Sequence, residues 1–376
     1  MAFTVLVKDA HSLARVGRLK TRSGSVETPV FMPVATKTAV KHISPEMLEE
    51  MGAQATISNS FVLSLRPGAK IVKKVGGIHT LSTYTGVMFT DSGGFQMYSP
   101  SLYKGSNDLG VEFKNPYSGE RIFMTPEQNM QLQLDLGSDV AMCFDTMPLI
   151  EHSKDAVALA VNRTSSWARR CKETHDTLQK KVSKGKRQLL FGIVQGGVHD
   201  DLRRISAGAL TELDFDGFAI GGVALGEAKE EEYRRIEVCQ EYLPRNKPVY
   251  LMGAGNPIEL LEAIERGCDI FDSRFPTMNA RHGNIFSWKG KYIVTNAEHK
   301  ASLKPLDESC DCSVCKRYSR AYVCHLIRNE EGVGYQLASY HNLYFLQELM
   351  RRVRKAIKVG TFKAFKKTFI KNYSKK

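Results

Sequence analysis

Residues 310–315 read CDCSVC, three cysteines in six positions of a chain that has eight, and His341 follows 26 positions after Cys315. Three thiolates and an imidazole are the ligand set of a closed tetrahedral zinc site. With no coordination position open to water, such an ion holds structure together rather than doing chemistry. Closely spaced disulfides are rare in a reducing compartment, and an iron–sulfur cluster usually takes four cysteines. Cys324 could supply a fourth, but its register and the HLIR after it read as the core face of a helix. Cys143, Cys171, Cys239 and Cys268 sit in apolar runs or helical stretches and read as small packing groups.

A second set is acidic and spread along the chain: Asp91 in TDSGGFQ, Asp145 in CFDTMP and Asp272 in FDSRFPT. Gln195 in VQGG and Gly221 and Gly222 in IGGV occur in the same kind of place, where an apolar run stops. One such aspartate alone reads as a helix N-cap; several at equivalent places ask for more. Two carboxylates suit the breaking of a glycosidic bond, one attacking the anomeric carbon while the other moves protons. Asp145 and Gln195 could hydrogen-bond the edge of a purine, and paired glycines would let a flat ring approach closely. Phe95 or Met252 could cover the faces of that ring.

These groups meet only if the elements that carry them converge. The runs are VFMPVAT (30–36), ATISNS (55–60), GVMFTDSGG (86–94), DVAMCFD (139–145), LLFGIVQGG (189–197), GFAIGG (217–222), PVYLMGAG (248–255) and CDIFDS (268–273). Near-continuous hydrophobicity means strands buried on both faces, as in parallel sheets. Helix-like stretches lie between them. TPEQ places Thr125 as N-cap, Pro126 in the first turn and Gln128 as capping-box partner, and NPIE repeats the device with Asn256, Pro257 and Glu259. Gly267 and Gly360 stand where left-handed C-caps belong.

Eight strand–helix units predict an α/β fold, a (β/α)8 TIM barrel with chemistry at the C-terminal ends of its strands; a doubly wound open sheet is the alternative. Two hairpins interrupt the pattern, around VEFKNPYSGERIFM and at NIFSWKGKYIVT, and a last helix from about Ser339 to Val359 carries His341. The expected organisation is one catalytic barrel domain over 1–376. Within it, 284–350 forms a small zinc-binding subdomain packed on the C-terminal helix.

The net charge is +13, and it is concentrated. Residues 351–376 carry 11 Lys or Arg and no acid, leaving 42 basic and 40 acidic side chains elsewhere. A basic stripe of that kind suits a polyanion, because each neutralised phosphate releases counterions. The sequence has no apolar run long enough for a membrane span. Its start lacks the apolar region of an export signal, so a cytoplasmic protein is expected.

At the motifs TDSGGFQ, VQGG, IGG, FDSRFPT and NARHG and the C-x-C-x2-C…H spacing, the chain resembles the tRNA-guanine transglycosylases of bacterial type. The likeness runs from RVGRLKTRSGSVETPVFMPVAT to the last helix. It implies a zinc-containing (β/α)8 barrel that exchanges guanine at the wobble position of tRNA anticodons for a 7-deazaguanine base in queuosine modification. By position, Asp272 resembles the nucleophile that bonds C1′ of the target ribose, and Asp91 the general acid/base. Asp145, Gln195 and Gly222 resemble the base-recognition groups, with Phe95, Met252 and Gly253 around the ring. Arg281 resembles an RNA-contacting arginine, and Arg351, Arg352 and Lys355 in the basic run are expected to hold RNA phosphates as well. Cys310, Cys312, Cys315 and His341 match the zinc ligands. A homodimer is expected from the resemblance alone.

The departures bear on substrate. Met147 and Thr146 in FDTMP replace a pocket cysteine and a glutamate, Met278 replaces an anticodon-facing cation, and Leu225 is large where queuine users carry glycine. Met147 and Leu225 together imply a short pocket and hence a small incoming base, preQ1 or preQ0. The alternative readings are a non-catalytic tRNA-binding homologue, a base-exchange enzyme for another nucleic acid, and a barrel hydrolase of nucleosides or sugars. Retention of all three aspartates argues for the enzyme.

Overall fold

Each of the eight apolar runs becomes a strand of one parallel sheet: Val30–Pro33, Ala55–Asn59, Val87–Asp91, Val140–Met142, Leu189–Val194, Gly217–Ile220, Val249–Leu251 and Ile270–Ser273. The structure, a computed structural model, describes residues 2–148, 152–223 and 226–374. Every strand pairs with its neighbours in sequence, and the eighth returns to the first, Ile270–Ser273 lying in register with Val30–Pro33. The first and second strands meet at a parallel bridge between Val34 and Ile57. Ala35 donates its N–H to the Ile57 carbonyl at 2.7 Å, and Asn59 donates to the Thr36 carbonyl at 3.2 Å. The sheet is therefore a closed ring, and the open-sheet alternative falls.

Alternation explains why these strands read as unbroken apolar runs. Val30, Met32, Ile57, Phe89, Met142 and Phe191 fill the lumen, while Phe31, Met88, Ala141 and Leu190 face the surrounding helices. Both faces are core. An N-terminal antiparallel sheet (Phe3–Lys8, Arg15–Lys20, Ser25–Thr28) adds Phe3, Leu19 and Val26 to the lumen cluster and plugs the ring.

The capping signals are borne out unevenly. Thr125 and Gln128 form the full capping box at the start of helix Pro126–Leu136. Asn256 caps helix Pro257–Glu265, but through the N–H of Ile258, and Glu259 pairs with Lys229 at 2.6 Å instead of reaching back. Gly267 and Gly360 have φ of +90° and +70°. Both hairpins are present, at Gly110–Lys114/Arg121–Met124 and Asn284–Ser287/Gly290–Ile293. The first gains a third strand, Tyr103–Asn107, that was not foreseen.

The last long helix is Gly332–Lys358, seven residues longer at its start than expected, and helix Phe362–Tyr373 follows it. It descends antiparallel to the strands. Asn342 bonds the Pro276 carbonyl beyond the eighth strand, Gln347 the Phe31 carbonyl within the first, and Arg354 the Pro29 carbonyl before it. The basic run therefore begins at the N-terminal end of the barrel. Among the described residues no helix is long and apolar enough to cross a membrane.

Candidate active site and metal centre

The strand ends bring the three aspartates to one mouth. Asp91 closes the third strand, beside Asn59, whose Nδ2 donates to its Oδ2 at 3.2 Å. Asp272 lies in the eighth strand; Oδ1 accepts from the Tyr250 hydroxyl at 2.5 Å and from the Gly253 N–H at 3.0 Å. Asp145 follows the fourth strand; Oδ2 accepts from Gln195 Nε2 at 2.7 Å and Oδ1 from Ser92 Oγ at 3.4 Å. The glycines beside them are forced by proximity. A β-carbon on Gly94 would stand 2.7 Å from the Asp145 carbonyl oxygen, and one on Gly221 would stand 2.6 Å from Gln195 Nε2.

The charges of these carboxylates interact. Burial pushes the Asp91 carboxyl up to about 7, and the negative charges of Asp145 and Asp272 add to the rise. Asp145 is pushed up to about 6 by burial, against the hydrogen bonds from Gln195 and Ser92. Burial also raises Asp272, opposed by the donors Tyr250 and Gly253. Asp91 and Asp272 each keep an accessible edge, while Asp145 is closed in. One carboxyl poised near neutrality beside another with two fixed donors is an acid/base and nucleophile pair in the making.

Around this pair the base-binding candidates are partly assembled. Gln195 spans from Asp145 toward Gly222, whose β-carbon, if present, would stand 2.8 Å from Gln195 Oε1. That oxygen is buried without a hydrogen-bond partner in the structure, an acceptor left for a ligand or water. Met147 approaches the same glycine, its Cγ 3.8 Å from the virtual β-carbon. Met252 sits on top of the lumen core. Gly253, expected around the ring, gives its N–H to Asp272 instead. Leu225 and the side chain of Phe95 lie outside the described residues.

Sequence reasoning missed several groups that position this set. Tyr250 reads as an ordinary core aromatic in a strand, and nothing in PVYLMG singles it out. Asn59 and Ser92 adjoin the motifs yet show their roles only through contacts. Asn129 holds the Ser92 carbonyl at 2.8 Å from a helix that the pattern treats as scaffold.

The basic candidates separate. Arg281, at the end of helix Phe275–Arg281, lies on the mouth side, close enough to help depress the His42 imidazole, whose lowering comes first from burial and then from Lys41. Thr38 and His42, in the loop after the first strand, both have positive φ, an uncommon conformation for such residues. Met278 is exposed nearby on the same helix. Arg351, Arg352 and Lys355 lie toward the opposite end. Arg351 bonds Glu348 and the Met51 carbonyl, and Arg352 bonds Glu348 and stacks over Trp288 at 3.9 Å. Their helix descends past the first strand, where Arg354 reaches the Pro29 carbonyl, so these cations sit farther toward the N-terminal end of the barrel than Arg281 does.

Cys310, Cys312, Cys315 and His341 converge as a cluster able to hold a metal ion, their donor atoms within 4.8 Å of one another. His341 Nδ1 lies 3.8, 3.6 and 3.3 Å from the three sulfurs in chain order. A tetrahedron with zinc–ligand bonds of about 2.0–2.3 Å has edges of roughly 3.6–3.8 Å, so the four donors fit such an ion. Nε2 of His341 is 2.7 Å from the Phe286 carbonyl, which turns Nδ1 toward the thiols. N–H groups of Cys315 and Asp307 approach the Cys312 and Cys315 sulfurs at 3.3 and 3.4 Å. The other five cysteines, Cys143, Cys171, Cys239, Cys268 and Cys324, are all buried and behave as packing groups.

Comparison with known proteins places this geometry in context. The model of one protein family, described as queuine tRNA-ribosyltransferase, matches residues 9–375. A queuine tRNA-ribosyltransferase of Lysinibacillus sphaericus is 46% identical over 360 residues, covering 96% of this chain and 93% of that protein. One of Halothermothrix orenii is 43% identical over 376 residues, covering 100% of this chain and 99% of its own length. One of Fusobacterium nucleatum is 44% identical over 375 residues, covering 99% of both.

Proposed function

The chain belongs to the queuine tRNA-ribosyltransferase family, transferases that act on tRNA in queuosine modification, and from that membership we propose a specific reaction. Guanine at the anticodon wobble position is exchanged for a 7-deazaguanine base through a covalent link between Asp272 and ribose. The observation that carries it is the unequal pair at the mouth: Asp91 poised at about 7, and Asp272 held by two donors on one oxygen.

An anticodon base is already partly unpaired, so extruding it costs only a few kcal/mol at most. Asp145 and Gln195 hold its edge. Asp272 Oδ2 then bonds C1′ as the C1′–N9 bond breaks, and Asp91 gives its proton to the departing guanine. Asp91, now ionised, takes the N9 proton of the incoming base, whose nitrogen displaces the Asp272 carboxylate. Two inversions retain configuration at C1′. Water has no part in either step, and its entry would leave an abasic tRNA.

The incoming base is small, preQ1 or preQ0, because Met147 narrows the space beside Gly222. The four-donor cluster holds a structural zinc ion that pins the 284–350 segment to helix Gly332–Lys358. Incubation with total tRNA and each candidate base, followed by mass analysis of the nucleosides, tests the reaction and its base together. The expected product carries preQ1 or preQ0; incorporation of queuine but neither small base overturns the pocket reading. Asp272→Asn should abolish a denaturation-resistant protein–RNA adduct, and its persistence would reassign the nucleophile.

A further inference from the structure

The turns after the fifth and sixth strands, which carry Gln195 and Gly222, are tied together from behind by one buried cation. Arg203 belongs to helix Asp200–Thr211 and is 0% exposed. Its Nε donates to the Gly197 carbonyl at 2.9 Å, Nη1 to the Gly221 carbonyl at 3.1 Å and Nη2 to the Gly222 carbonyl at 2.8 Å. A guanidinium so far from water is tolerated only where its donors find acceptors. Here the three acceptors come from two separate turns.

The same helix grips the first turn twice more. Ser206 Oγ accepts the Gln195 N–H at 3.0 Å. A β-carbon on Gly196 would overlap Arg203, standing 2.5 Å from its Cγ, so glycine is required where that turn settles on the helix. Tertiary fit, rather than approach of a ligand, accounts for this glycine of the VQGG motif.

A trans peptide sets its C=O and N–H on opposite sides. With the Gly221 carbonyl held on the guanidinium, the Gly222 N–H points away from it, and the Gly222 α-carbon lies against Gln195, a virtual β-carbon there standing 2.8 Å from Gln195 Oε1. The positive charge drawn onto that carbonyl also makes the N–H a stronger donor. Such a donor is best placed where negative charge grows on a departing base.

We propose that Arg203 is a positioning residue for base recognition: it locks the two turns together so that Gln195 and the Gly222 N–H meet the purine edge in fixed register. This rests on the exchange reaction proposed above.

The test uses the full-length enzyme, labelled guanine and tRNA, with Arg203→Lys and Arg203→Met beside wild type. KM for guanine should rise tenfold or more in Arg203→Met while KM for tRNA stays within twofold, and Arg203→Lys should recover part of the loss. Parallel rises in both KM values, or a lower Tm with unchanged KM, would show a merely structural brace and overturn the proposal. If Arg203→Met does not accumulate folded, Arg203→Lys decides alone, and wild-type guanine KM in that variant sinks the idea. Calorimetric binding of free guanine separates the two layers. A wild type that binds guanine without exchanging it refutes the reaction, while the Arg203 variants are still read by their loss of guanine affinity, whose absence refutes the positioning role.

Discussion

The Tyr250 hydroxyl and the Gly253 N–H converge on one oxygen of Asp272, at 2.5 and 3.0 Å. Both bonds go to Oδ1, so the lone pairs of Oδ2 lie outside them, and the carboxylate is oriented without being spent. Tyr250 is itself fully buried, and its phenol is pushed far up by burial and by the charges of Asp272 and Asp91. It therefore stays a neutral donor over the working pH range.

Tyr250→Phe should expose that role in a pH profile. Burial raises Asp272, and the Tyr250 hydrogen bond opposes the rise. Removing the donor moves the Asp272 carboxyl higher, so more of it is protonated and unable to attack at acidic pH. The acidic limb of kcat/KM should shift upward by about one to two pH units, a hydrogen bond to a charged group being worth about 1.5–3 kcal/mol. Activity should fall roughly tenfold or more on the acidic limb and much less on the plateau above it. A uniform loss at every pH would mean that Tyr250 merely packs.

Asp91→Asn should trade activity for stability, in one direction of pH. The folded carboxyl is raised to about 7, whereas an unfolded aspartate titrates near 3.9. Between those values the folded state binds the extra proton, so stability falls as pH rises through about 7. Asparagine removes the penalty. At pH 8 the variant should be more stable by on the order of 1–2 kcal/mol, a linkage figure discounted for the accessible edge of the carboxyl, while at pH 4 the two proteins should match. Exchange should be lost. Denaturant titrations at the two pH values check it, and a gain that is equal at both would disprove the linkage.

The barrel was legible because its eight strands are apolar on both faces, a pattern that Val30, Phe31 and Met32 show within three residues. Asp91, Asp145, Gln195 and Asp272 were legible because each follows such a run. Tyr250 and Arg203 were not. One lies in a lumen position where any large side chain would serve the pattern, and the other sits in DDLRR, which reads as a solvated first turn. Arg203 ties a turn six residues away to one 18 and 19 residues away, and Tyr250 reaches an acceptor 22 residues away; local pattern holds no trace of those pairings. The basic run was legible only as charge. Composition reports charge but not which end of the barrel a descending helix delivers it to.

Metal removal should slow exchange before it unfolds the protein. Asn342, next to His341, donates Nδ2 to the Pro276 and Asn284 carbonyls at 3.1 and 2.9 Å. Pro276 lies four residues after Asp272, so the helix that carries His341 buttresses the segment that follows this carboxylate. Chelation should release one zinc per chain, lower Tm by several degrees and reduce kcat, with recovery on adding zinc back. Cys312→Ser should copy the chelated state. Full kcat in metal-free protein at a temperature where it remains folded would remove the buttress from the account.

Salt dependence distinguishes the two basic regions. Arg281 shares the mouth side of the barrel with Lys41 and His42, whose imidazole both cations help to depress after burial, so positive charge is already crowded there. Phosphates arriving at the mouth would relieve that crowding, and each neutralised phosphate adds about 0.9 to the slope of log affinity against log salt for duplex DNA, about 0.7 for single strands. Arg281→Ala should therefore weaken tRNA binding and lower that slope by about one, with KM for the free base unchanged. Lys355, exposed at the far end of helix Gly332–Lys358, provides the contrast. Lys355→Ala should leave both the affinity and the slope near wild type. If instead Lys355→Ala lowers the slope and Arg281→Ala does not, the RNA must run along the barrel's flank to its N-terminal end, and docking of phosphates beside Arg281 at the mouth is overturned.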